Sequence, residues 1–419
     1  MKFENKKWVL RVALAGALSL GVASVAKADA RLDSLSTDVH QVDDIDIIWL
    51  YPNQILSYKN TVDFRLNPQG LNLAANGNGT TEWGGVIHDL GDDFGTIGTY
   101  VNRPVSEKTV TGSLLGATSN LLTNYWQAAG GNGNVYAPSS NLDLFWAKSD
   151  LGLHLNYADN LTDTGAAVQG QTWGLSAGLN TGSFMSFNQS EIHLGYSEEW
   201  VTNTAANGGH DQGIYSITGG FLAQTDLNPN DSARVYGDAE FDADHTPGNN
   251  SGFGAGVNTN ATEILVGSSI KHNIASRGFV NTGLAFEYDG AQSGLNTPTN
   301  VTNSNAYSLV WNAGVESTLN SFLTARAGLA KTIYNRTYSA TAGAASWTDS
   351  SLLAGNAANA NKNVSFTLGG SINVENWTLD SDINVTNFET SLQNIAPGSG
   401  VLIAGTAIST IETDLRYKF

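Results

Sequence analysis

The histidines and carboxylates of this 419-residue chain are the side chains best suited to acid–base chemistry. A hydrolase of the serine or aspartate type needs a Ser–His or Asp–His pair held in fixed geometry. None of the seven histidines stands in a local signature with a nucleophile or with metal ligands. Catalytic groups can still converge from distant strands, so an enzyme remains a rival hypothesis and a non-enzyme is the prediction. The histidines are His40, His88, His154, His193, His210, His245 and His272.

Metal and cofactor chemistry has little support in the sequence. The chain contains no cysteine, which excludes disulfides and thiolate metal sites. The runs 242–245 and 43–46 are rich in carboxylates, but neither has the twelve-residue loop pattern of a calcium site. We therefore predict no metal and no cofactor.

The charged residues are better explained as the lining of a pore. Along many segments they alternate with apolar residues, and side chains of a β-strand alternate between its two faces. Carboxylates dominate the polar set, which would concentrate cations and disfavour anions. We predict a weakly cation-selective pore; the alternative is that these charges only solvate the lumen and pair with one another. The predicted pore-lining residues are His154, Glu191, His193, Arg234, Asp238, Glu240, Glu316, Arg326, Asp380 and Asp382.

Strands must position these residues, because alternation persists from residue 61 to the C-terminus. The connections between segments are alternately short and long, as in bacterial membrane barrels with short periplasmic turns and longer outer loops. The fold predicted for 61–419 is all-β: a transmembrane antiparallel up-and-down β-barrel of sixteen strands, with fourteen as the alternative. The sixteen segments are 61–67, 82–88, 94–105, 141–149, 151–159, 171–181, 189–200, 211–225, 232–244, 261–273, 277–289, 305–319, 322–338, 361–376, 377–387 and 410–419.

The N-terminus has the pattern of a secretory leader. Basic residues precede an apolar stretch over 12–26, and small residues follow at Ala26, Ala28 and Ala30. This pattern predicts a signal peptide over 1–30, cleaved after Ala28 or Ala30. The apolar stretch is too short for an ordinary transmembrane helix.

Residues 31–60 alternate poorly and are apolar enough to require burial. We call them the hatch segment and predict a short strand or turn that lies inside the barrel or across its periplasmic mouth. Its marker residues are Asp43, Asp44, Trp49 and Pro52. The proline argues against a central strand position.

The last nine residues, 411–419, alternate apolar and polar without a break and end on an aromatic residue. Here the chain resembles the outer-membrane β-barrel proteins of Gram-negative bacteria, whose closing strand ends in Phe. The resemblance implies that Tyr417 and Phe419 form an assembly signal read by the barrel-assembly machinery, with periplasmic chaperones as further partners. It also implies contact with outer-membrane lipid and lipopolysaccharide.

Composition and aromatic residues agree with a membrane barrel. The net charge of −18 argues against nucleic-acid binding. Trp and Tyr residues near strand ends, Trp83 and Trp173 among them, are expected in the aromatic belts at the two membrane interfaces.

The stretch around Pro52 also resembles the long-chain fatty-acid transporter family, which carries an Asn-Pro-Ala segment after an acidic lead-in. Only the proline and its acidic, apolar approach match, because Tyr51 and Asn53 replace the flanking Asn and Ala. That family has fourteen strands and moves hydrophobic substrates.

The predicted function is an outer-membrane channel for passive passage of small polar solutes or ions, partly closed by the hatch segment. The first alternative is an outer-membrane transporter of hydrophobic substrates such as long-chain fatty acids. An outer-membrane enzyme and a secreted soluble β protein are weaker alternatives.

Overall fold

A computed structural model gives the fold of this chain. It describes residues 30–66, 83–103, 140–159, 168–203, 212–244, 257–275, 277–295, 301–341, 344–351, 364–385 and 408–419. The predicted leader therefore lies outside the described residues, apart from its last position, Ala30.

One antiparallel sheet forms almost the whole described structure. Apart from β14, each strand is hydrogen-bonded to the next strand of the wall, and the last strand returns to the first. The strands are β1 (Thr61–Leu66), β2 (Trp83–Asp89), β3 (Thr96–Val101), β4 (Ser140–Lys148), β5 (Leu151–Asp159), β6 (Val168–Phe184), β7 (Phe187–Asn203), β8 (Gln212–Asp226), β9 (Asp231–Asp244), β10 (Val257–Asn273), β11 (Gly278–Leu295), β12 (Val301–Asn320), β13 (Leu323–Thr341), β14 (Ala344–Ser351), β15 (Val364–Val374), β16 (Trp377–Val385) and β17 (Ile408–Lys418).

Sixteen of these strands close the barrel. Thr61 of β1 pairs with Lys418 of β17, which joins the two ends of the sheet. β14 pairs only with the outer part of β13, whose inner part pairs with β15, so β14 is an added hairpin strand. The sixteen-strand prediction is confirmed and the fourteen-strand alternative is wrong. β14 has no counterpart among the sixteen predicted segments, because residues 339–360 have the composition of a polar loop.

The two faces of the wall differ sharply in polarity. On β5, Leu151, Leu153 and Leu155 are 38–46% exposed, whereas His154 and Asn156, which alternate with them, are buried. The same alternation recurs on the neighbouring strands β4 and β6. The outer face is therefore apolar, and the inner face carries most of the polar side chains.

The prediction for the hatch segment was a short strand or turn, and the structure forms short helical turns and no strand over its described residues 31–60. Helix α1 spans Ala30–Ser34, and two 3₁₀ helices span Ile45–Trp49 and Pro52–Tyr58. Pro52 opens the second of these, where its missing N–H costs nothing. In the part of the chain that is described, no helix has the length and apolarity needed to cross a membrane.

The hatch segment lies inside the barrel. Its side chains share one buried apolar core with inward-facing residues of β2, β3, β4, β8, β9, β10 and β11. Trp83 belongs to this core and is only 6% exposed, so its predicted place in an outer aromatic belt is wrong. Trp173, by contrast, is 38% exposed on the outer face.

Candidate functional site

The wall described above is a closed antiparallel β-barrel. A closed single-chain barrel with an even number of antiparallel strands, an apolar outer face and a polar inner face is the architecture of bacterial outer-membrane proteins. The short connections at one end, such as 149–150 and 185–186, mark the periplasmic rim. The surface that a solute meets within such a protein is the lumen, and here the hatch segment occupies part of it.

The hatch segment lies in the periplasmic half of the lumen. It contacts Gly152, Glu191 and Arg234, which are the second residue of β5, the fifth of β7 and the fourth of β9 counted from the periplasmic rim. Further contacts reach β1, β11, β12, β15 and β17. The segment is thus held from most sides of the wall.

Arginine–carboxylate pairs fix the first part of the hatch segment. Arg31 contacts Asp44 at 3.2 Å and Glu316 of β12 at 2.9 Å. Glu316 is shared with Arg326 of β13, whose other nitrogen contacts Asp380 of β16 at 2.7 Å. This chain of pairs ties α1 to three strands through charge-assisted hydrogen bonds.

A second set of pairs continues around the wall. Arg416 of β17 lies 3.2 Å from both Asp44 and Asp63, which joins the hatch segment to β17 and β1. Arg65 of β1 bonds Asp46 and lies 3.4 Å from Asp414 of β17. We call these ten groups the arginine network: Arg31, Arg65, Arg326, Arg416, Asp44, Asp46, Asp63, Glu316, Asp380 and Asp414.

On the opposite side of the lumen, two histidines meet one carboxylate. Asp238 of β9 lies 2.5 Å from Nε2 of His40 and 2.5 Å from Nε2 of His193 of β7. Asp38 contacts the other ring nitrogen of His40 at 3.2 Å, and Tyr236 stacks on the ring at 4.8 Å. We call Asp38, His40, His193 and Asp238 the histidine cluster.

The charge of His40 follows from these neighbours. Burial disfavours the protonated ring, but the carboxylates of Asp238 and Asp38 outweigh it and raise the pKa of His40 to about 10. Protonated His40 then separates two carboxylates that would otherwise repel each other.

Aromatic side chains surround Trp49 at the end of the first 3₁₀ helix. Its ring lies 6.0 Å from Trp83, 5.1 Å from Tyr100 and 4.9 Å from Phe145, all in edge-to-face geometry. The guanidinium of Arg103, just beyond β3, lies 3.8 Å above the same ring as a cation–π contact. We call this group the aromatic cluster.

Two glycines let the second 3₁₀ helix approach the wall. A Cβ on Gly152 of β5 would lie 2.0 Å from the backbone nitrogen of Asn53. A Cβ on Gly178 of β6 would lie 2.9 Å from Pro52. The hatch backbone here occupies the space that side chains would fill.

All ten predicted pore-lining residues lie on the inner face of the wall. His154, Glu191, His193, Arg234, Asp238 and Glu316 contact the hatch segment directly. Arg326 and Asp380 join it through the arginine network. Glu240 bonds Ser216, and Asp382 is fully buried.

The predicted hatch residues take different roles. Asp44 and Trp49 are buried in the arginine network and the aromatic cluster, and Pro52 lies against the wall. Asp43 pairs with Arg234 and keeps its side chain 63% exposed. Burial opposes ionisation of Asp43, but Arg234 overrides it and lowers the pKa of that carboxyl.

The lumen beyond the hatch segment carries acidic residues farther from the periplasmic rim. Glu240 of β9 and Glu263 of β10 stand opposite each other in register. Glu287 of β11 accepts a hydrogen bond from Ser308. This part of the described inner face is polar and rich in carboxylates.

The C-terminal end of the predicted closing strand lies at the periplasmic rim. Tyr417 packs against Trp377 of β16, with ring centroids 4.6 Å apart. The backbone N–H of Phe419 donates to Asn60 at the end of the hatch segment, and the Phe419 ring is half exposed.

Several residues that hold the hatch segment are not among the predicted site residues. Asp63 and Arg65 alternate with the apolar Val62, Phe64 and Leu66, so the signal was present on β1. Arg31 and His40 had no such signal, because the hatch segment has no regular period. Only the fold brings them to their partners.

One arrangement in the wall has the composition of a hydrolase triad. Nδ1 of His154 accepts from the hydroxyl of Ser176 at 3.4 Å, and Nε2 donates to Asp143 at 3.0 Å. In a hydrolase such a histidine takes the serine proton. Here Phe145 stacks on the imidazole and Trp49 contacts it edge-on, and Ser176 is 2% exposed, so a substrate carbonyl has no access to the hydroxyl.

Comparison with known proteins gives similarity at the level of solved structures. No protein-family model and no curated protein matches the sequence. The translocator domain of the autotransporter NalP from Neisseria meningitidis is 9% identical, with a TM-score of 0.28, covering 72% of this chain and 96% of that one. The CymD monoaromatic hydrocarbon channel is 9% identical, with a TM-score of 0.35, covering 93% and 96%. A deletion mutant of the TodX monoaromatic hydrocarbon channel is 9% identical, with a TM-score of 0.30, covering 85% and 87%.

Proposed function

We propose that this protein is a non-enzymatic outer-membrane channel for small polar solutes or ions, gated by the hatch segment. The observation that carries the proposal is the set of polar contacts that attach the hatch segment to the inner wall beside the apolar core. Arginine–carboxylate pairs, histidine–carboxylate pairs and amide hydrogen bonds hold it. Such contacts exchange with water and solute at modest net cost, whereas the apolar core that the hatch segment shares with the wall opposes its displacement.

Gating requires that the wall remain intact when the hatch segment moves. The barrel is closed by hydrogen bonds between β1 and β17, which the hatch segment does not supply. Charged wall residues left behind, such as Arg326 and Asp380, keep each other as partners. Displacement of the hatch segment therefore exposes a wettable lumen.

The acidic inner face supports weak cation selectivity. Glu240 and Glu263 face each other across a strand pair, and their negative potential raises the local cation concentration. In a salt gradient, the reversal potential of the open channel should have the sign for cations. Replacement of both residues by Gln should move it toward zero. A clear anion preference in the unaltered channel would rule out this selectivity.

Deletion of residues 31–60 tests the channel itself. Single-channel recordings of purified protein should show higher conductance after the deletion, because the occupied half of the lumen becomes water-filled. Heat-modifiable migration and resistance to carbonate extraction serve as the folding control. A correctly folded deletion variant that remains electrically silent would contradict the channel.

A second candidate is transport of hydrophobic substrates such as fatty acids, favoured by the aromatic cluster around Trp49. That reading places the substrate path along apolar side chains and predicts a dry barrel. The folded deletion variant would then be silent, and uptake of a hydrophobic probe would fall on Trp49→Ala. The polar channel predicts that the deletion variant conducts and that Trp49→Ala does not lower uptake of the hydrophobic probe.

The partners proposed are those of an outer-membrane barrel. Lipid and lipopolysaccharide would contact the apolar outer face, and the barrel-assembly machinery with periplasmic chaperones would act during biogenesis. The terminal Tyr417 and Phe419 are the proposed recognition signal, and the half-exposed Phe419 ring at the end of β17 supports that role.

A further inference from the structure

Two cations of β13, Lys331 and Arg336, lie on the outer face of the wall. In register, Lys331 stands opposite Trp311 of β12, and Arg336 stands opposite Tyr307. Trp311 in turn stands opposite Leu284 of β11, which is 42% exposed on the outer face. Tyr307 lies four residues from Trp311 along β12 and so shares its face. Residues that stand opposite each other point to the same side of a sheet, so both cations point outward.

A β-bulge gives the two cations a common face. They are five residues apart, and an odd spacing on an unbroken strand would point them to opposite faces. The pairing of β13 with β12 skips Ile333, which lies between the paired residues Thr332 and Tyr334. The extra residue reverses the alternation beyond it. Arg336 therefore points outward, although the sequence spacing alone would direct it into the lumen.

The height of these cations on the wall matches a membrane surface. Lys331 is the ninth residue of β13 from the periplasmic rim, and Arg336 is the fourteenth. A strand rises about 3.3 Å per residue and tilts by about 40° in a barrel, so the two residues lie roughly 20 Å and 30 Å above that rim. The apolar band of a membrane barrel is about 25 Å tall. The cations thus lie on either side of its outer edge, where the headgroups of the outer leaflet begin.

No other Lys or Arg of the described strands takes such a position. The others point into the lumen, as Arg234 and Arg326 do, or lie at the periplasmic rim, as Lys148 does. An outward-facing cation at the edge of the apolar band is favourable where it meets an anionic headgroup. Asp349 of β14 is the other register partner of Arg336. The five N–H donors of a guanidinium can serve this neighbour and a phosphate together.

We propose that Lys331 and Arg336 bind the two phosphates of one lipid whose headgroup is a bisphosphorylated disaccharide, the headgroup chemistry of lipopolysaccharide. This inference rests on the proposed placement of the barrel in an outer membrane. The register partners of the two cations are four residues apart on β12, about 13 Å at 3.3 Å per residue. A disaccharide with a phosphate at each end spans such a distance, whereas one phosphate does not. Both side chains bind phosphate through charge-assisted hydrogen bonds.

Aromatic side chains beside Arg336 suit a sugar headgroup. The rings of Tyr307 and Tyr288 lie 5.1 Å apart on the outer face. The phenol of Tyr288 donates to Oδ1 of Asn305, at 3.2 Å. Tyrosines with an apolar body and a polar tip are typical of membrane interfaces.

Binding of diphosphorylated lipid A to the purified full-length protein tests the proposal. The measurement is native mass spectrometry in detergent micelles with EDTA, which removes bridging divalent cations. Lys331→Gln and Arg336→Gln should each weaken binding about tenfold, through the loss of one charge-assisted contact. Monophosphorylated lipid A should bind the unaltered protein with a similar loss. Lys148→Gln, at the periplasmic rim, is the matched control and should leave binding unchanged.

An exchange of neighbouring residues tests the direction of the guanidinium. Asn335→Arg with Arg336→Asn keeps the composition of the chain and turns the guanidinium toward the lumen, so binding should fall as in Arg336→Gln. Full binding by this variant or by the double Gln variant would overturn the proposal. Equal binding of phosphatidylglycerol and diphosphorylated lipid A would overturn it as well.

A fractionation control separates this site from the proposed function. The unaltered protein should show heat-modifiable migration and resist carbonate extraction. If it does both and lipid A binding ignores the two cations, the lipid site alone is contradicted. If it does neither, the placement in an outer membrane fails, and the lipid site fails with it.

Discussion

His40 ties the hatch segment to the wall through one protonated ring. Its unfolded pKa is near 6.5 and its folded pKa is about 10, so its contribution to hatch attachment is complete below pH 6.5. That contribution disappears as pH rises through 10, when the neutral ring leaves Asp38 and Asp238 facing each other. The histidine cluster therefore makes the attachment weaker in alkali.

We expect open probability in single-channel recordings to rise between pH 7 and pH 10.5. His40→Gln should raise it already at pH 7 and remove most of the alkaline increase. The matched control is His272→Gln, which changes an exposed histidine at the periplasmic rim. Equal pH responses of His40→Gln and the unaltered protein would show that another group controls the transition.

Ser176 tests whether the Ser–His–Asp arrangement has a catalytic role. We expect that a fluorophosphonate reagent does not label the folded protein and that Ser176→Ala does not change ester hydrolysis, because the hydroxyl is covered. Stoichiometric labelling at Ser176, lost in the alanine variant, would identify a hydrolase and contradict the non-enzymatic function.

At the level of elements, the second 3₁₀ helix can pack against the wall because the wall has glycine at the positions closest to it, such as Gly152. Gly152→Val should push the Pro52–Asn53 backbone away from β5, since even a Cβ would lie 2.0 Å from a backbone nitrogen. Conductance should rise, while the heat-modifiable migration of the barrel is preserved. Gly174→Val on β6 is the matched control, because its nearest neighbour is a side-chain atom at 3.3 Å.

The strands could be predicted from the sequence because each strand has one face toward lipid and the other toward the interior of the barrel. That contrast forces a period of two, which Leu151 to Tyr157 display in full. β2 was harder to interpret, because Trp83 and Ile87 face the apolar core of the hatch segment and Val86 faces outward. A strand with apolar residues on both faces has no such period, and Trp83 was misassigned for this reason.

The position of the hatch segment could be predicted from the sequence, but its secondary structure could not. Its apolar content predicted burial, yet its helical turns depend on partners from strands far along the chain, such as Glu316 and Asp238. Long-range ion pairs leave no periodic trace in a sequence. Asp43, Asp44, Trp49 and Pro52 were identified by composition alone, and their separate roles required the fold.

At the scale of the whole molecule, the closing strand joins the wall to the hatch segment. The backbone N–H of Phe419 bonds Asn60, and its ring stacks on His88 at 5.8 Å. Phe419→Ala should reduce the amount of heat-modifiable barrel in outer membranes severalfold, because both the assembly signal and this contact are lost. Phe94→Ala, in a periplasmic turn, removes an exposed aromatic ring from the same rim and should have little effect. Normal surface assembly of Phe419→Ala would rule out the terminal signal.

The acidic residues of the chain have two different roles in the folded protein. Some carboxylates, such as Asp44 and Asp380, neutralise arginines within the arginine network. Others, such as Glu240 and Glu263, stand opposite each other on β9 and β10 and are the carboxylates on which the proposed cation selectivity rests. The net charge of −18 alone did not distinguish these roles.

The central claim is that movement of the hatch segment opens the lumen, and one redox-controlled recording tests it most directly. The chain has no cysteine, so Ser36→Cys with Thr367→Cys provides the only thiols, at positions whose side-chain oxygens are 2.8 Å apart. In the same membrane, oxidation should abolish opening events, and reduction should restore the conductance and open probability of the unaltered protein. The conductance and open probability of each single-cysteine variant should not change on oxidation or reduction. Identical recordings before and after verified disulfide formation would contradict the account.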